Sequence, residues 1–153
     1  MKLLFLDIDE VLTSTDFRVR YFSANGRTAS TDDLDPLACA RLERVLVETG
    51  ATIVLTSRSW AMKGISFTQQ ALRSFGAPSA HVRFEISQRH RNRGEGISEW
   101  LAWFGYVVTE YAVVDDGLDA GIGHESRFVR TTQEHGLTDD DAERLIRILK
   151  GNT

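Results

Sequence analysis

Three short apolar runs, each stopped by a polar residue, constrain this chain most: residues 3–6 end in Asp7, residues 52–55 in Thr56 and residues 112–114 in Asp115. A continuous apolar run of this length, followed by a segment of helical periodicity, is the pattern of a strand buried on both faces. Such strands belong to a parallel sheet covered by helices on both sides. The intervening helices are readable. Asp35-Pro36 supplies an N-cap and a first-turn proline, Leu37, Leu42, Val45 and Leu46 give an apolar stripe, and Gly50 suits the stop. Further helices are expected over about residues 67–75, over Ile97, Trp100, Leu101 and Phe104 at i, i+3, i+4 and i+7, and after Thr138. The spacing of Thr138 to Asp141 fits a capping box ahead of Ala142, Leu145, Ile146 and Leu149. Strands at residues 82–86 and 127–130 complete the series. The expected fold is α/β, a three-layer α/β/α Rossmann-like sandwich around a parallel sheet.

With 153 residues, 42% of them hydrophobic and 26% charged, the chain is sized and composed for one globular domain, residues 1–153, and is too apolar for disorder. The apolar run before Asp7 has four residues, whereas a secretory core needs about 7–15 and a spanning helix about 20, so a cytoplasmic protein is expected. The lone cysteine, Cys39, excludes an internal disulfide and a cysteine metal cluster and reads as packing. Net charge is −4, with no global basic footprint. From Asp115 onward five Lys/Arg face nine Asp/Glu, so residues 1–114 are neutral and any basic patch lies there.

Residues 14–33 form the one irregular stretch, with 11 of 20 residues Ser, Thr, Asn, Asp or Gly. Within it Phe17, Val19 and Tyr21 alternate with Arg18, Arg20 and Phe22 ahead of Asn25-Gly26, which predicts a short flap hairpin. About 20 residues are too few for a large cap domain, so the site beneath is expected to be open or covered only by this flap.

Ligands of parallel sheets bind outside the carboxyl ends of the strands, and those ends here carry Asp7, Asp9, Thr56, Ser57, Asp115 and Asp116. Three or four carboxylates converging in one crevice repel one another unless a hard cation neutralises them, which points to Mg²⁺. The densest basic stretch, Arg89-His90-Arg91-Asn92-Arg93, is suited to the phosphates of a longer nucleic acid or is a solvated loop. Ser57 lacks the Gly-x-Ser-x-Gly elbow of a hydrolase nucleophile. His81, His90, His124 and His135 have no metal-ligand spacing and read as surface or hydrogen-bonded loop residues. Trp100 reads as core, Trp60 and Trp103 as freer, with Trp60 either lining the entrance or packing.

The run Leu4-Phe5-Leu6-Asp7-Ile8-Asp9-Glu10-Val11-Leu12 closely resembles motif I of the haloacid dehalogenase (HAD) superfamily. Ile53-Val54-Leu55-Thr56-Ser57 resembles motif II, and Ala112-Val113-Val114-Asp115-Asp116 resembles motif IV. Motif III, a Lys or Arg opening a helix, is best matched by Arg93, with Arg89 and Arg91 close by and Lys63 a distant competitor. More narrowly, Leu55-Thr56-Ser57-Arg58-Ser59-Trp60, Arg93-Gly94-Glu95-Gly96-Ile97 with Trp100-Leu101, and Gly136-Leu137-Thr138 before an acidic helix are similar to the small HAD domain of Swiss Army Knife RNA-repair proteins.

The resemblance implies a Mg²⁺-dependent phosphatase in which Asp7 attacks phosphorus and becomes an aspartyl phosphate, and Asp9 protonates the leaving group and then activates water. It implies that Thr56 and Arg93 hold the phosphoryl group and that Asp7, the Asp9 carbonyl, Asp115 and Asp116 hold the metal, with Asp119 a further contributor if its loop turns back. Ser57, Arg58, Arg89, Arg91 and Arg20 of the flap are the substrate-binding candidates, for a phosphorylated substrate such as a nucleic-acid 3′-phosphate end or a nucleotide. Glu10 departs from the usual Gly, which eases the turn after strand one, and must accept strain or force a different turn. Two alternatives stand beside this reading: a compact metal-dependent nuclease, which Thr56-Ser57 and the immediate Asp9 disfavour, and a non-catalytic phosphate-binding or regulatory domain, which intact Asp7 and Asp9 disfavour.

Overall fold

Alternation along the central strand decides how the layers form. The structure, a computed structural model, describes residues 1–152. Strands β1 (Lys2–Leu6), β2 (Thr52–Leu55), β3 (Val82–Glu85), β4 (Glu110–Asp115) and β5 (Phe128–Arg130) make one all-parallel sheet in the order β3-β2-β1-β4-β5. Leu4 and Leu6 point to one face with Ile53, Leu55, Ala112 and Val114; Leu3 and Phe5 point to the other with Val54 and Val113. All of these are essentially inaccessible to solvent. Burying one such Leu or Phe contributes about 1.5–3 kcal/mol, so the two faces commit the strand run to the centre of the molecule.

The first face is covered by α2 (Pro36–Thr49) and α6 (Asp139–Leu149), with α3 (Arg58–Lys63) and α4 (Ile65–Phe75) alongside; α5 (Arg93–Phe104) covers the second. The caps form as the residues dictate. Asp35 accepts from the Leu37 amide at 3.0 Å with Pro36 in the first turn, and Thr138 and Asp141 close a reciprocal capping box. On the α5 face, Trp100 packs edge-on to Phe5 at 5.7 Å and against Phe84 at 5.3 Å. Leu37, assigned to the inner stripe, is instead half exposed on the outer side of α2. Cys39 is fully buried. No helix among the described residues is long and apolar enough to cross a membrane.

The flap hairpin does not form. Residues 15–25 are a helix, α1 (Thr15–Asn25), capped by Ser14 Oγ accepting from the Phe17 amide at 3.0 Å and closed by Gly26 at φ 68°. The same positive φ serves a hairpin turn and a helix C-cap, so Asn25-Gly26 alone does not separate the two. The apparent alternation contains an i,i+4 pair: Phe17 is buried and Tyr21 packs edge-on against it at 5.8 Å. Between β1 and α2 the chain thus builds one helix and a loop, residues 26–35.

Candidate active site

The parallel register brings the carboxyl ends of β1, β2 and β4 to one edge. Leu6 lies opposite both Leu55 and Val114, and the next residues are tied across: the Asp7 amide donates to the Val114 carbonyl at 3.2 Å and the Thr56 amide to the Leu6 carbonyl at 3.0 Å. Asp7, Thr56 and Asp115 therefore emerge side by side, each at most 3% exposed. Arg93, the first residue of α5, reaches over them from the second face. Its Nη1 donates to Asp7 Oδ1 at 2.9 Å and to Asp115 Oδ2 at 2.7 Å, so one nitrogen bridges the ends of two adjacent strands. Lys63 pairs with Asp32 instead, and Arg89 with Glu99 at 2.8 Å, which leaves Arg93 as the cation of the carboxylate edge.

The electrostatics of this edge are unfavourable by themselves. Burial, with Asp115 alongside, pushes the Asp7 carboxyl up to about 8 although Arg93 works in the opposite direction; Asp116 adds to the rise. Asp116, half buried, is also raised, by burial and by its neighbour Asp115. Carboxylate oxygens of Asp7, Asp115 and Asp116 lie within 4.8 Å of one another. Three hard oxygen donors crowded until one resists ionisation form a set that fits a hard divalent cation such as Mg²⁺. Beside them, Thr56 Oγ1 is buried and has no hydrogen-bond partner. An unpaired buried hydroxyl costs about 1–3 kcal/mol unless an incoming acceptor or donor completes it.

Asp9 is exposed, two residues beyond Asp7, with Oδ2 accepting from Ser59 Oγ at 3.1 Å. Glu10 accepts the strain that the missing glycine would have avoided: its φ is 63°, the one non-glycine positive φ among the described residues. The turn survives because it is braced on all sides. The Glu10 amide donates to Thr13 Oγ1 at 2.9 Å, its carbonyl accepts from Thr131 Oγ1 at 2.8 Å, and Arg18 of α1 holds its carboxylate at 3.1 Å. Thr131 also donates its amide to the Asp115 carbonyl at 3.0 Å, tying the β1 turn to the β4 end. Behind the turn the loop at Gly136, φ 63°, presses so close that a Cβ there would lie 2.8 Å from the Thr13 carbonyl.

Other candidates divide. Ser57 is buried and caps α3, its Oγ accepting from the Trp60 amide at 3.5 Å. Arg58 and Arg91 are exposed and join Arg93 around a shallow cavity of about 220 Å³. Arg89 is 70% exposed and held by Glu99 away from the carboxylates. Arg20 does not reach this edge: it pairs with Asp35 at 2.9 Å and lines a different cavity with Asp16 and His135, because the helical geometry of α1 turns it away from Arg18. Asp119 does turn back, but to accept the Arg93 amide at 3.1 Å rather than to join the carboxylate group. Trp60 is 1% exposed, packed under Lys63 Nζ at 4.2 Å, while Trp103 stays on the surface at 72%. His124 is buried and hydrogen-bonded to Tyr111 and the Gly94 carbonyl, fixing the start of α5. Ser59, Thr131 and Gln88, which donates to the Thr56 carbonyl at 3.0 Å, carry no local sequence signal of these contacts.

Residues 3–142 match the family model of the HAD domain in Swiss Army Knife RNA repair proteins. The chain belongs to that family. The match runs from β1 into α6, so this HAD domain contains every residue of the carboxylate edge within the matched span. Membership puts it in a superfamily of hydrolases and phosphatases and associates it with RNA repair. No curated protein and no solved structure matches the chain.

Proposed function

We propose that this HAD domain, taken as one unit over residues 1–153 with residues 14–33 as its minimal cap, is a Mg²⁺-dependent phosphomonoesterase working through an aspartyl phosphate. The observation that carries the reading is Thr56 Oγ1, buried without a partner one strand away from Asp7. A phosphoryl oxygen accepting from that hydroxyl would satisfy it and bring phosphorus to the Asp7 carboxylate.

In the proposed reaction an Asp7 oxygen attacks phosphorus as the bond to the leaving oxygen breaks, and Asp9 gives that oxygen its proton. Asp9 then takes a proton from water, the water oxygen attacks the same phosphorus, and the Asp7–phosphorus bond breaks to release inorganic phosphate and restore both carboxyl groups. Ser59 positions Asp9, exposed and free to reach the leaving group. Arg93 offsets the charge gathered on Asp7 and the phosphoryl oxygens. Mg²⁺, held by Asp7, Asp115, Asp116 and the Asp9 carbonyl, would supply neutralisation of the carboxylates and screening of the anionic substrate. Arg58 and Arg91 continue the positive surface beyond Arg93 and suit a neighbouring phosphate, which favours nucleic-acid ends or nucleotides over isolated small phosphates.

The test is phosphate release with Mg²⁺, and with chelator, from an aryl phosphate, free nucleotides and oligonucleotides phosphorylated at the 3′ or 5′ end. Chelator-sensitive release that disappears in Asp7→Asn is expected. Activity retained by Asp7→Asn would remove the covalent mechanism, and cleavage of unphosphorylated oligomers would make the protein a nuclease.

A further inference from the structure

We propose that Glu10 is a specificity-determining residue that keeps anionic leaving groups out of the site. This rests on the phosphatase reading of the carboxylate edge and adds to it the charge that the departing group can carry. Glu10 stands where motif I usually has glycine, and it holds the one positive φ of a non-glycine residue among the described residues, 63°. Strain of that kind clusters at working sites, where something else depends on the residue that bears it. What depends on this side chain is Arg18, whose Nη2 lies 3.1 Å from both Glu10 carboxylate oxygens.

Asp9 and Ser59 line a cavity of about 520 Å³ between α1, the 26–35 loop and α3, so the group attached to the oxygen that Asp9 protonates points into this space. Two cations stand in its walls, and both are already bound: Arg18 to Glu10, and Lys63 to Asp32 across the gap between α3 and the loop. The remaining wall carboxylates, Asp9 and Asp33, are hydrogen-bonded to Ser59 Oγ at 3.1 Å and to the Ser30 amide at 2.9 Å, and neither has a cationic partner among the described residues. Even with Asp9 protonated for the first step, Asp33 leaves the balance of the walls negative. Glu10 decides this sign. Without its carboxylate, Arg18 would present a guanidinium whose forked N–H groups suit a carboxylate or a phosphate. Glu10 thus takes the place on Arg18 that an anionic leaving group would need. Anionic parts of a substrate have a different place, the separate cavity of about 220 Å³ where Arg58 and Arg91, without ion-pair partners among the described residues, stand beside Arg93. The two sides of the carboxylate edge are therefore sorted by charge.

The test compares kcat/KM with Mg²⁺ for phenyl phosphates that differ in one para group, hydroxymethyl, carboxymethyl or aminomethyl, and thermal melts establish which variants fold. The unmodified protein should use the carboxymethyl substrate less well than the other two. Glu10→Gln and Glu10→Gly should each raise the carboxymethyl-to-hydroxymethyl ratio by about fivefold or more, the effect of one unit charge a few Å away even at the dielectric of water. Adding Arg18→Met to Glu10→Gln should cancel that gain, because the freed guanidinium is its source. A second readout needs no turnover. Ala29 lies on the loop wall and Cys39 is fully buried, so Ala29→Cys places one accessible thiol in the cavity. Relative to free cysteine, an ammonium-bearing methanethiosulfonate should label it faster than a sulfonate-bearing one, and Glu10→Gln should lower that preference by about fivefold. An unchanged substrate ratio, a gain that survives Arg18→Met, or labelling indifferent to Glu10 would overturn the proposal. Where the phenyl phosphates are not turned over, the labelling decides the charge of the cavity alone, and phosphate release from nucleotides and oligonucleotides separately decides the phosphatase reading.

Discussion

Replacing Asp7 by Asn should make the metal-free protein more stable while removing its activity. The unfolded carboxyl titrates near 3.8 and the folded one near 8, because burial and Asp115 disfavour the charge. The folded state therefore holds this proton more tightly. Stability is fully present below about pH 4, falls as pH rises through the window from about 4 to about 8, and is level above it. At pH 7 the full difference amounts to about 4 kcal/mol at 1.36 kcal/mol per unit. Solvent entry and the bond Arg93 keeps to Asp115 reduce the realised gain to about 2–4 kcal/mol, or roughly 5–15 °C in Tm for a chain of this size. Asn removes the titration and preserves the shape. The assay is thermal unfolding of both proteins in chelator from pH 5 to pH 9. The gap in Tm should be small at pH 5, widen to pH 8 and then stop growing; adding Mg²⁺ should raise the Tm of the unmodified protein more than that of the variant. An Asp7→Asn protein that melts lower, or by the same margin at every pH, would refute the claim that this carboxylate edge is strained without a cation.

Three further changes probe the supports of the site. Arg89→Ala with Arg91→Ala should raise KM for a phosphorylated oligonucleotide and flatten its salt dependence by about one log–log unit for each arginine–phosphate pair removed, sparing an aryl phosphate; equal effects on both substrates would make the stretch a solvated loop. Gly94→Ala should cost at least about 2 kcal/mol by denaturant unfolding and lower kcat, because its Cβ would lie 2.8 Å from the Asp119 carbonyl and closer still to that of Ile122, pushing Arg93 off the carboxylates. At Glu10, Gly should stay within about 1 kcal/mol of the unmodified protein, relief of the positive φ offsetting loss of the Arg18 pair, whereas Val should destabilise by about 2 kcal/mol or more; a tolerated Val would mean that the turn is free to rearrange.

The sheet was legible because its signal is one-dimensional: apolar runs 3–6, 52–55 and 112–114 become β1, β2 and the inner part of β4, and polar residues at their ends mark the site edge without any knowledge of contacts. Asp7, Thr56 and Asp115 come together for that reason, whereas Arg93, which opens α5, is legible only through its resemblance to motif III. What the sequence hid depends on the third dimension or on a shared local signature. Asn25-Gly26 serves a hairpin and a helix end equally, so the flap was misassigned; once α1 is a helix, Arg18 and Arg20 point to different cavities, which alternation cannot express. Trp60 looked free because α3 is a single short element whose burial arises from Phe67 and Lys63, contributed by the next helix and its own end.

The departures from good local chemistry coincide in space. Among the described residues, the one buried side-chain atom without a hydrogen bond is Thr56 Oγ1, the one strained non-glycine backbone is Glu10, and the carboxyl displaced to about 8 is Asp7. Glu10 is three residues from Asp7 in sequence, and Thr56 is bonded to Leu6, the residue before Asp7. Folding by itself gains nothing from any of the three, and the caps, the sheet register and the two apolar layers supply the stability that tolerates them. A cation would remove the third cost and a phosphoryl oxygen the first, while the strained turn follows directly on Asp9. Each cost thus lies where a bound cation or substrate would act, and this concentration is the physical ground for treating the edge as a working site rather than a cluster of acids at strand ends.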